Sequence, residues 1–382
     1  MSRTPGTMRA TVVDPRGRGS ARPDAALLVP KPPLPGPLGL LASRVYQSVV
    51  SRRNARFDRG ERVERMPVPV ISVGNLSVGG TGKTPMVMWA VRALHTRAVH
   101  AAIAMRGYGA TRDARSDEHE EYLGRLWDLR TPVVADPKRA EAIRGLLVRD
   151  PTVQAVVLDD GFQHRFVARN ADLVLIDATR DPFHDRCLPA GWLREPVASL
   201  SRAHAVILTR VHAVPERDIR ALKDNIARIN PRAPVAGAYT EWESIETPTG
   251  ARAPDALNGK RIHVVCAIGN PGAFVAQARA HGAIINSIDA LRDHARYSPA
   301  WTQTMLERAR DRRCDIVLTT GKDWVKLRAA MPPEAPADAP TPHSARPHTP
   351  LPQVWRPRAA ISWAWGESEI LGLLERACVR QG

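Results

Sequence analysis

Cysteine, aromatic residues and long apolar runs are scarce in this chain of 382 residues. Its four cysteines lie far apart, which excludes a CxxC zinc or redox motif and is typical of isolated thiols in a reducing compartment. No apolar run reaches about 18 residues, so the sequence predicts no transmembrane helix. The first 30 residues are interrupted by Arg and Pro and contain no continuous apolar stretch, so we expect no signal peptide.

Acidic residues are also fewer than basic residues. Asp and Glu number 39 against 55 Lys and Arg, which gives a formal net charge of +16. This balance favours an anionic partner: a nucleic acid, an acidic membrane or a phosphorylated substrate. Only seven of the 55 are Lys, so an Arg-leaning codon usage explains part of the excess. Aromatic residues make up 5% of the chain and no stacking motif is evident, which argues against a nucleic-acid partner.

The two segments at the start of the chain differ in pattern. Residues 1–33 are rich in Arg, Pro and Gly without periodicity, so we expect a disordered extension. Residues 34–60 predict a helix, because apolar residues recur every three to four positions at Leu38, Leu41, Val45 and Val49. The residues expected to widen this apolar face are Leu40, Tyr46 and Val50. Arginines follow this apolar face, and a basic amphipathic helix can lie in a membrane surface. Packing of the helix on its own domain is the alternative.

The rest of the chain alternates between short apolar runs and helical patterns. Over residues 61–231 this alternation predicts an α/β fold, a mostly parallel sheet flanked by helices. The pattern restarts near residue 232, which predicts a second, smaller α/β lobe over 232–382. Within that lobe, residues 331–352 hold eight prolines and are expected to form an extended insertion.

The strongest motif for chemistry follows the first apolar strand. A P-loop reads G-x-x-x-x-G-K-S/T between a strand and a helix, and its N–H groups bind phosphates. The last three positions match, and a serine takes the place of the first glycine. Lys83 would bridge the β and γ phosphates, and the Thr84 hydroxyl would ligate Mg²⁺. The residues expected to bind the nucleotide are Ser77, Val78, Gly79, Gly80, Thr81, Gly82, Lys83 and Thr84.

A pair of acidic residues, Asp159 and Asp160, follows a second apolar strand. Such a pair beside a P-loop is the Walker-B arrangement, in which a carboxylate holds Mg²⁺. Gln163 and His164 come next and serve either the substrate or the structure. A kinase also needs a base for the attacking hydroxyl, which spacing alone does not select. The candidates near strand ends are Asp117, Glu118, Asp177, Glu195 and the pair Asp293 and His294.

Several motifs together resemble one family, the tetraacyldisaccharide 4'-kinases of the lipid A pathway. Residues 67–85 closely resemble the P-loop region of that family, including the serine in place of the first glycine. Six further motifs occur in the family's order, at residues 106–109, 159–164, 188–196, 268–271, 293–297 and 319–327. Two positions depart from the family pattern: Ser116 replaces a glycine before Asp117, and Gly321 stands where a Glu is typical.

The resemblance implies an ATP- and Mg²⁺-dependent kinase at the cytoplasmic face of the inner membrane. It would transfer the γ-phosphate of ATP to the 4'-hydroxyl of a tetraacylated glucosamine disaccharide 1-phosphate, with the helix at 34–60 in contact with the membrane. It implies Asp117 as the base, His294 as its partner, and Asp159 and Asp160 as residues that serve Mg²⁺. A P-loop NTPase that acts as a switch or metallochaperone is the alternative, but it leaves the amphipathic helix and residues 188–196 unexplained.

Overall fold

The computed structural model describes residues 10–13, 19–22, 32–107, 117–268, 271–291, 295, 297–331 and 350–379. It divides the chain into two compact units. The first, here called the P-loop unit, comprises residues 31–241 and 360–382. The other, the second unit, comprises residues 1–30 and 242–359.

Strands and helices alternate along the described residues. The strands are β1 Ala10–Val13, β2 Gly19–Arg22, β3 Val70–Asn75, β4 Ala101–Met105, β5 Val133–Ala135, β6 Ala155–Asp159, β7 Ala171–Asp177, β8 Ala205–Thr209, β9 Val235–Thr247, β10 Gly250–Arg252, β11 Arg261–Cys266, β12 Ile284–Ala290, β13 Ile316–Thr319 and β14 Gln353–Trp365. The helices are α1 Pro37–Asp58, α2 Lys83–His95, α3 Asp117–Arg125, α4 Arg139–Arg149, α5 Glu216–Ile229, α6 Pro271–Ala280, α7 Pro299–Asp311, α8 Gly321–Ala330 and α9 Glu367–Cys378.

The sheet of the P-loop unit has the strand order β9-β8-β7-β3-β6-β4-β5, and all neighbours are parallel. Strands β3, β6, β7 and β8 are buried at every residue, as expected for strands covered by helices on both faces. Alternate residues of β3 serve opposite faces. Ile71 packs with α2, α3 and α9, whereas Val70 packs with α4. The predicted α/β class with a mostly parallel sheet is confirmed.

The second unit has its own sheet, in the order β2-β1-β12-β11-β13-β14. Its pairs are parallel except for β1 with β2, and β10 forms an antiparallel hairpin with the end of β9. Two apolar clusters form its core, one centred on Ile262, Val264 and Phe274, the other on Val265, Met305 and Leu327.

The structure differs from the predicted domain boundaries in two places. Strands β1 and β2 lie inside the segment 1–33 that we expected to be disordered; β1 carries the β-branched run Thr11 to Val13 and pairs with β12. The end of the chain, residues 360–382, belongs to the P-loop unit rather than to a lobe over 232–382. The reason is that Ile370 and Leu374 of α9 complete the apolar cluster around α2. The start of β9 also belongs to the P-loop unit.

Candidate active site

The loop between β3 and α2 has the backbone of a phosphate-binding turn. Gly79 and Gly82 have φ angles of +120° and +88°, a region that side chains with a Cβ rarely adopt. Gly82 directly precedes Lys83, the first residue of α2, so the free N–H groups of the helix N-terminus lie at this loop. Ser77 forms an antiparallel β-bridge with Leu193 and does not have a positive φ angle, which explains why this position does not require glycine.

Lys83 lies between the P-loop and the acidic pair. Its Nζ is 3.2 Å from Oδ1 of Asn75 at the end of β3, and 3.5 Å from Oδ1 of Asp160. The side chain is largely buried, with 15% of its surface exposed. The ammonium group is therefore held at the carboxyl edge of the sheet by two oxygen partners.

The two aspartates after β6 have opposite environments. Asp160 accepts hydrogen bonds from Nη1 of Arg194 at 2.6 and 2.8 Å in addition to its contact with Lys83. Although burial raises the pKa of Asp160, Lys83 and Arg194 outweigh it and lower the pKa to about 2. Asp159 is buried, and burial followed by the carboxylates of Glu118 and Asp160 raises its pKa to about 6.

One oxygen of Asp159 has no hydrogen-bond partner within the described part of the chain. A buried carboxylate oxygen without a partner is costly unless a ligand satisfies it, and carboxylate oxygens suit hard divalent cations. In the described ranges no three His, Cys, Asp or Glu residues are grouped to hold a metal by themselves. A cation here would therefore combine Asp159 with non-protein oxygens and with the hydroxyl of Thr84, the second residue of α2.

Arginines that the sequence reasoning missed hold the loop over residues 160–166. Arg139 donates to the carbonyl of Asp160 at 3.1 Å, and Arg169 donates to the carbonyls of Gly161 and His164 at 2.6 and 2.7 Å. Arg202 donates to the carbonyl of Phe162 at 3.2 Å. These residues had no distinguishing sequence signal, because arginine is common throughout the chain. Arg194 had one, since it lies within the motif at 188–196.

The two polar residues left open by the sequence also have defined places in this loop. Gln163 donates from Nε2 to the carbonyl of Asn75 at 2.9 Å and so attaches the loop to the start of the P-loop. Burial, followed by Arg139 and Arg169, lowers the pKa of His164 to about 3. His164 is therefore neutral at neutral pH, which excludes it as a cationic phosphate ligand.

The candidate bases are placed as follows. Asp117 is the first residue of α3, and the next residue, Glu118, acts electrostatically on Asp159, so the first turn of α3 lies near the acidic pair. Asp177 is paired with Arg210, which also donates to the carbonyl of Gly80.

The remaining candidates separate. Glu195 is completely buried and is bonded to Asn54 and Arg202. Asp293 and His294 lie outside the described residues, as do residues 332–349 of the Pro-rich segment. The structure therefore brings together Lys83, Asp159 and Asp160, whereas the pairing of Asp117 with His294 stays a prediction.

The helix predicted at 34–60 is α1. Four of the apolar residues on its predicted face are 59% to 74% exposed: Leu38, Leu41, Val45 and Val49. Val50 and Tyr46, which we expected to widen that face, instead turn towards the P-loop unit, Val50 buried and Tyr46 partly buried. The opposite face packs on the P-loop unit through the buried residues Ser43, Val50 and Phe57. In the part of the chain that the structure describes, no helix combines the length and apolar content needed to cross a membrane.

Comparison with known proteins gives consistent matches. The family model for tetraacyldisaccharide-1-P 4'-kinase matches residues 37–346. The tetraacyldisaccharide 4'-kinase of Anaeromyxobacter dehalogenans (strain 2CP-C) is 37% identical over 323 residues, covering 78% of this chain and 84% of the relative. That of Azotobacter vinelandii (strain DJ) is 35% identical over 302 residues, covering 75% and 83%.

A solved structure matches as well. The "apo" form of LpxK from Aquifex aeolicus, crystallised in complex with ATP, aligns with a TM-score of 0.63 at 25% identity and covers 88% of this chain and 98% of its own. The family match spans most of the chain, and two relatives exceed 30% identity over most of their length. The chain therefore belongs to the tetraacyldisaccharide-1-phosphate 4'-kinase family.

Proposed function

We propose that this protein is an ATP-dependent kinase that phosphorylates the 4'-hydroxyl of a tetraacyl glucosamine disaccharide 1-phosphate in lipid A biosynthesis. The observation that carries this function is the cluster at the P-loop. There the carboxylate of Asp160 is 3.5 Å from Nζ of Lys83 and 2.6 Å from Nη1 of Arg194, and Asp159 is the preceding residue. Relatives named tetraacyldisaccharide 4'-kinase and a structural neighbour in complex with ATP support the acceptor and the nucleotide. They favour the kinase over a P-loop NTPase switch.

The P-loop and the basic residues bind the phosphates and compensate their negative charge. The N–H groups of residues 77–84 bind the phosphate oxygens, and Lys83 contacts the β and γ phosphates. Arg194 adds a second positive charge at the same edge of the sheet. Phosphoryl transfer depends mainly on positioning and charge compensation, which this arrangement provides.

The residues of the site fit Mg²⁺. Thr84 and Asp159 would hold the ion, because one oxygen of Asp159 lacks a partner, and Asp160 would act as a nearby second carboxylate. When bound, Mg²⁺ neutralises charge on the phosphates of ATP. Asp159, with a pKa of about 6, is ionised at pH 7.5 and presents its charge there. Asp160 orients Arg194 through its two hydrogen bonds.

The proton of the acceptor hydroxyl needs a base. We assign this role to Asp117 at the start of α3, with His294 as its partner. The electrostatic effect of Glu118 on Asp159 supports a position of this turn beside the acidic pair.

The exposed apolar face of α1 suits contact with a membrane. Its four large apolar residues would enter the acyl region, and Arg44 and Arg52 on the same helix would meet lipid phosphates. A net charge of +16 favours an anionic leaflet, and an acylated acceptor is found at such a surface. We therefore place the enzyme peripherally on the cytoplasmic face of the inner membrane.

Transfer of labelled γ-phosphate from ATP and Mg²⁺ to detergent-dispersed tetraacyl disaccharide 1-phosphate tests the function. The wild type is expected to label the lipid, whereas Lys83→Ala and Asp117→Ala are expected to lose most of the transfer. If Asp117→Ala still transfers phosphate to the lipid, the kinase function stands but Asp117 is not the base. ATP hydrolysis without labelled lipid would refute the kinase and favour the NTPase switch.

A further inference from the structure

The face of α1 opposite the exposed apolar residues bonds to the loops of the nucleotide site. The hydroxyl of Tyr46 donates to the carbonyl of Arg194 at 2.9 Å, and Nδ2 of Asn54 donates to Oε2 of Glu195 at 2.7 Å. Arg53 donates to the carbonyl of Gln163 at 3.3 Å. The helix thus contacts both the 185–195 segment and the loop after Asp160.

One of these contacts reaches the phosphate-binding cluster directly, through Arg194. Arg194, whose carbonyl accepts from Tyr46, holds both oxygens of Asp160 through its guanidinium group. The Arg194 N–H also donates to the carbonyl of Leu76 at 2.7 Å, at the start of the P-loop. Displacement of α1 would therefore remove one of the hydrogen bonds that fix the backbone at Arg194, next to the first residues of the P-loop.

The attachment of α1 in water rests on few apolar contacts. Its buried residues are Gly39, Ser43, Val50 and Phe57, of which two are large apolar side chains, and Tyr46 is partly buried against the P-loop unit. Helices derive most of their stability from packing of an apolar face, and here the wider apolar face is in solvent. Segments with little buried apolar surface open at low free energy cost. A surface that accepts the exposed face would order the helix and its inner contacts together.

We propose that Tyr46 and Asn54 are positioning residues that couple membrane binding by α1 to nucleotide binding at the P-loop. The inference rests on the membrane contact proposed above. The membrane orders α1 through its outer face, and the ordered helix fixes Arg194 and Glu195 through its inner face. Linkage requires the effect to be mutual, so ATP strengthens membrane binding by the same factor.

The test uses the full chain, a fluorescent ATP analogue and vesicles of phosphatidylglycerol and phosphatidylethanolamine, without the acceptor lipid. We expect vesicles to tighten nucleotide binding by about threefold to tenfold, the range that one or two hydrogen bonds can transmit. ATP is expected to tighten vesicle binding, measured by flotation, by the same factor. Neither readout requires phosphate transfer.

Tyr46→Phe and Asn54→Ala are expected to bind vesicles as the wild type does. Addition of vesicles should change the nucleotide affinity of these variants by less than about twofold. Gln47→Ala, at an exposed position of the same helix, is the matched control and is expected to keep the full coupling. Thermal unfolding of each variant reports whether it is folded. A merely structural role of Tyr46 would lower stability without separating the two binding equilibria.

Three results would overturn the inference. If vesicles bind the wild type but leave its nucleotide affinity unchanged, the coupling is absent while the membrane contact stands. Full coupling in both inner-face variants would show that Tyr46 and Asn54 do not carry it. If vesicles do not bind at all, the proposed membrane contact fails and the coupling fails with it.

Discussion

Asp159 is the residue whose environment makes the sharpest prediction. In the folded protein its pKa rises from the ordinary value of 3.8 to about 6, which disfavours the ionised side chain by about 3 kcal/mol. The folded state then binds more protons than the unfolded state between these two values. Stability is therefore lost as pH rises through this window, and the loss is complete above about pH 6.

Asp159→Asn removes the charge and with it this penalty. The amide has its own cost in a buried site, but that cost does not depend on pH. The stability of the variant relative to wild type should therefore increase by about 2 kcal/mol between pH 4.5 and pH 7.5. Thermal and urea unfolding of both proteins at the two pH values, with EDTA and without nucleotide, measure this difference.

The neighbouring Asp160 provides the matched control. Its pKa is lowered to about 2, so its ion pairs contribute stability that is present above about pH 4 and is lost only as pH falls towards 2. Asp160→Asn is therefore expected to be less stable than wild type at both pH 4.5 and pH 7.5. Its stability relative to wild type should change less with pH than that of Asp159→Asn, because Asp160 is only one of the causes that raise the pKa of Asp159. If Asp159→Asn shows no relative gain with rising pH, the account of its buried charge is wrong. MgCl₂ is expected to stabilise the wild type and not Asp159→Asn.

Three further outcomes are expected. Arg194→Met should reduce phosphate transfer by about 30-fold to 150-fold, or roughly 2–3 kcal/mol, because Asp160 loses one of its two basic partners and the site loses a positive charge; steady-state kinetics measure it, and an unchanged kcat would refute the role. Leu41→Asp should weaken vesicle binding about tenfold or more, since a leucine that enters the acyl region contributes about 1.5 kcal/mol or more; flotation measures it. Asp323→Ala, in the second unit, removes the acceptor of Tyr297 Oη and of the Ala267 N–H and should lower stability by about 2–3 kcal/mol without changing nucleotide affinity.

The local motifs were predictable because their physics is local. Gly79 and Gly82 adopt positive φ angles in a loop that joins a buried strand to a helix, and Lys83 opens that helix. The buried parallel strands were also predictable, as short apolar runs, because strands covered on both faces are mostly apolar. Asp159 and Asp160 at the end of β6 follow from this pattern.

Contacts between distant segments were not predictable. Nothing in the sequence pairs Arg194 with Asp160 rather than with another carboxylate. It is therefore not readable from the sequence that Asp160 has basic partners while one oxygen of Asp159 has no hydrogen-bond partner among the described residues. Periodicity gave the apolar face of α1 but not whether that face is covered. The spacing of Ile370 and Leu374 likewise predicts a helix that must be buried, without showing that α2 is its neighbour.

The return of the chain to the P-loop unit has a consequence for synthesis. Residues 242–359 interrupt this unit, and α9 contributes Ile370, Leu374 and Ala377 to the apolar cluster around α2. During translation, α2 emerges from the ribosome nearly three hundred residues before α9, the helix that packs against it. Until α9 is synthesised, some apolar residues of α2 stay exposed in the nascent chain. During that time, chaperone binding and aggregation compete with folding. The P-loop unit can therefore reach its full stability only after α9 has emerged.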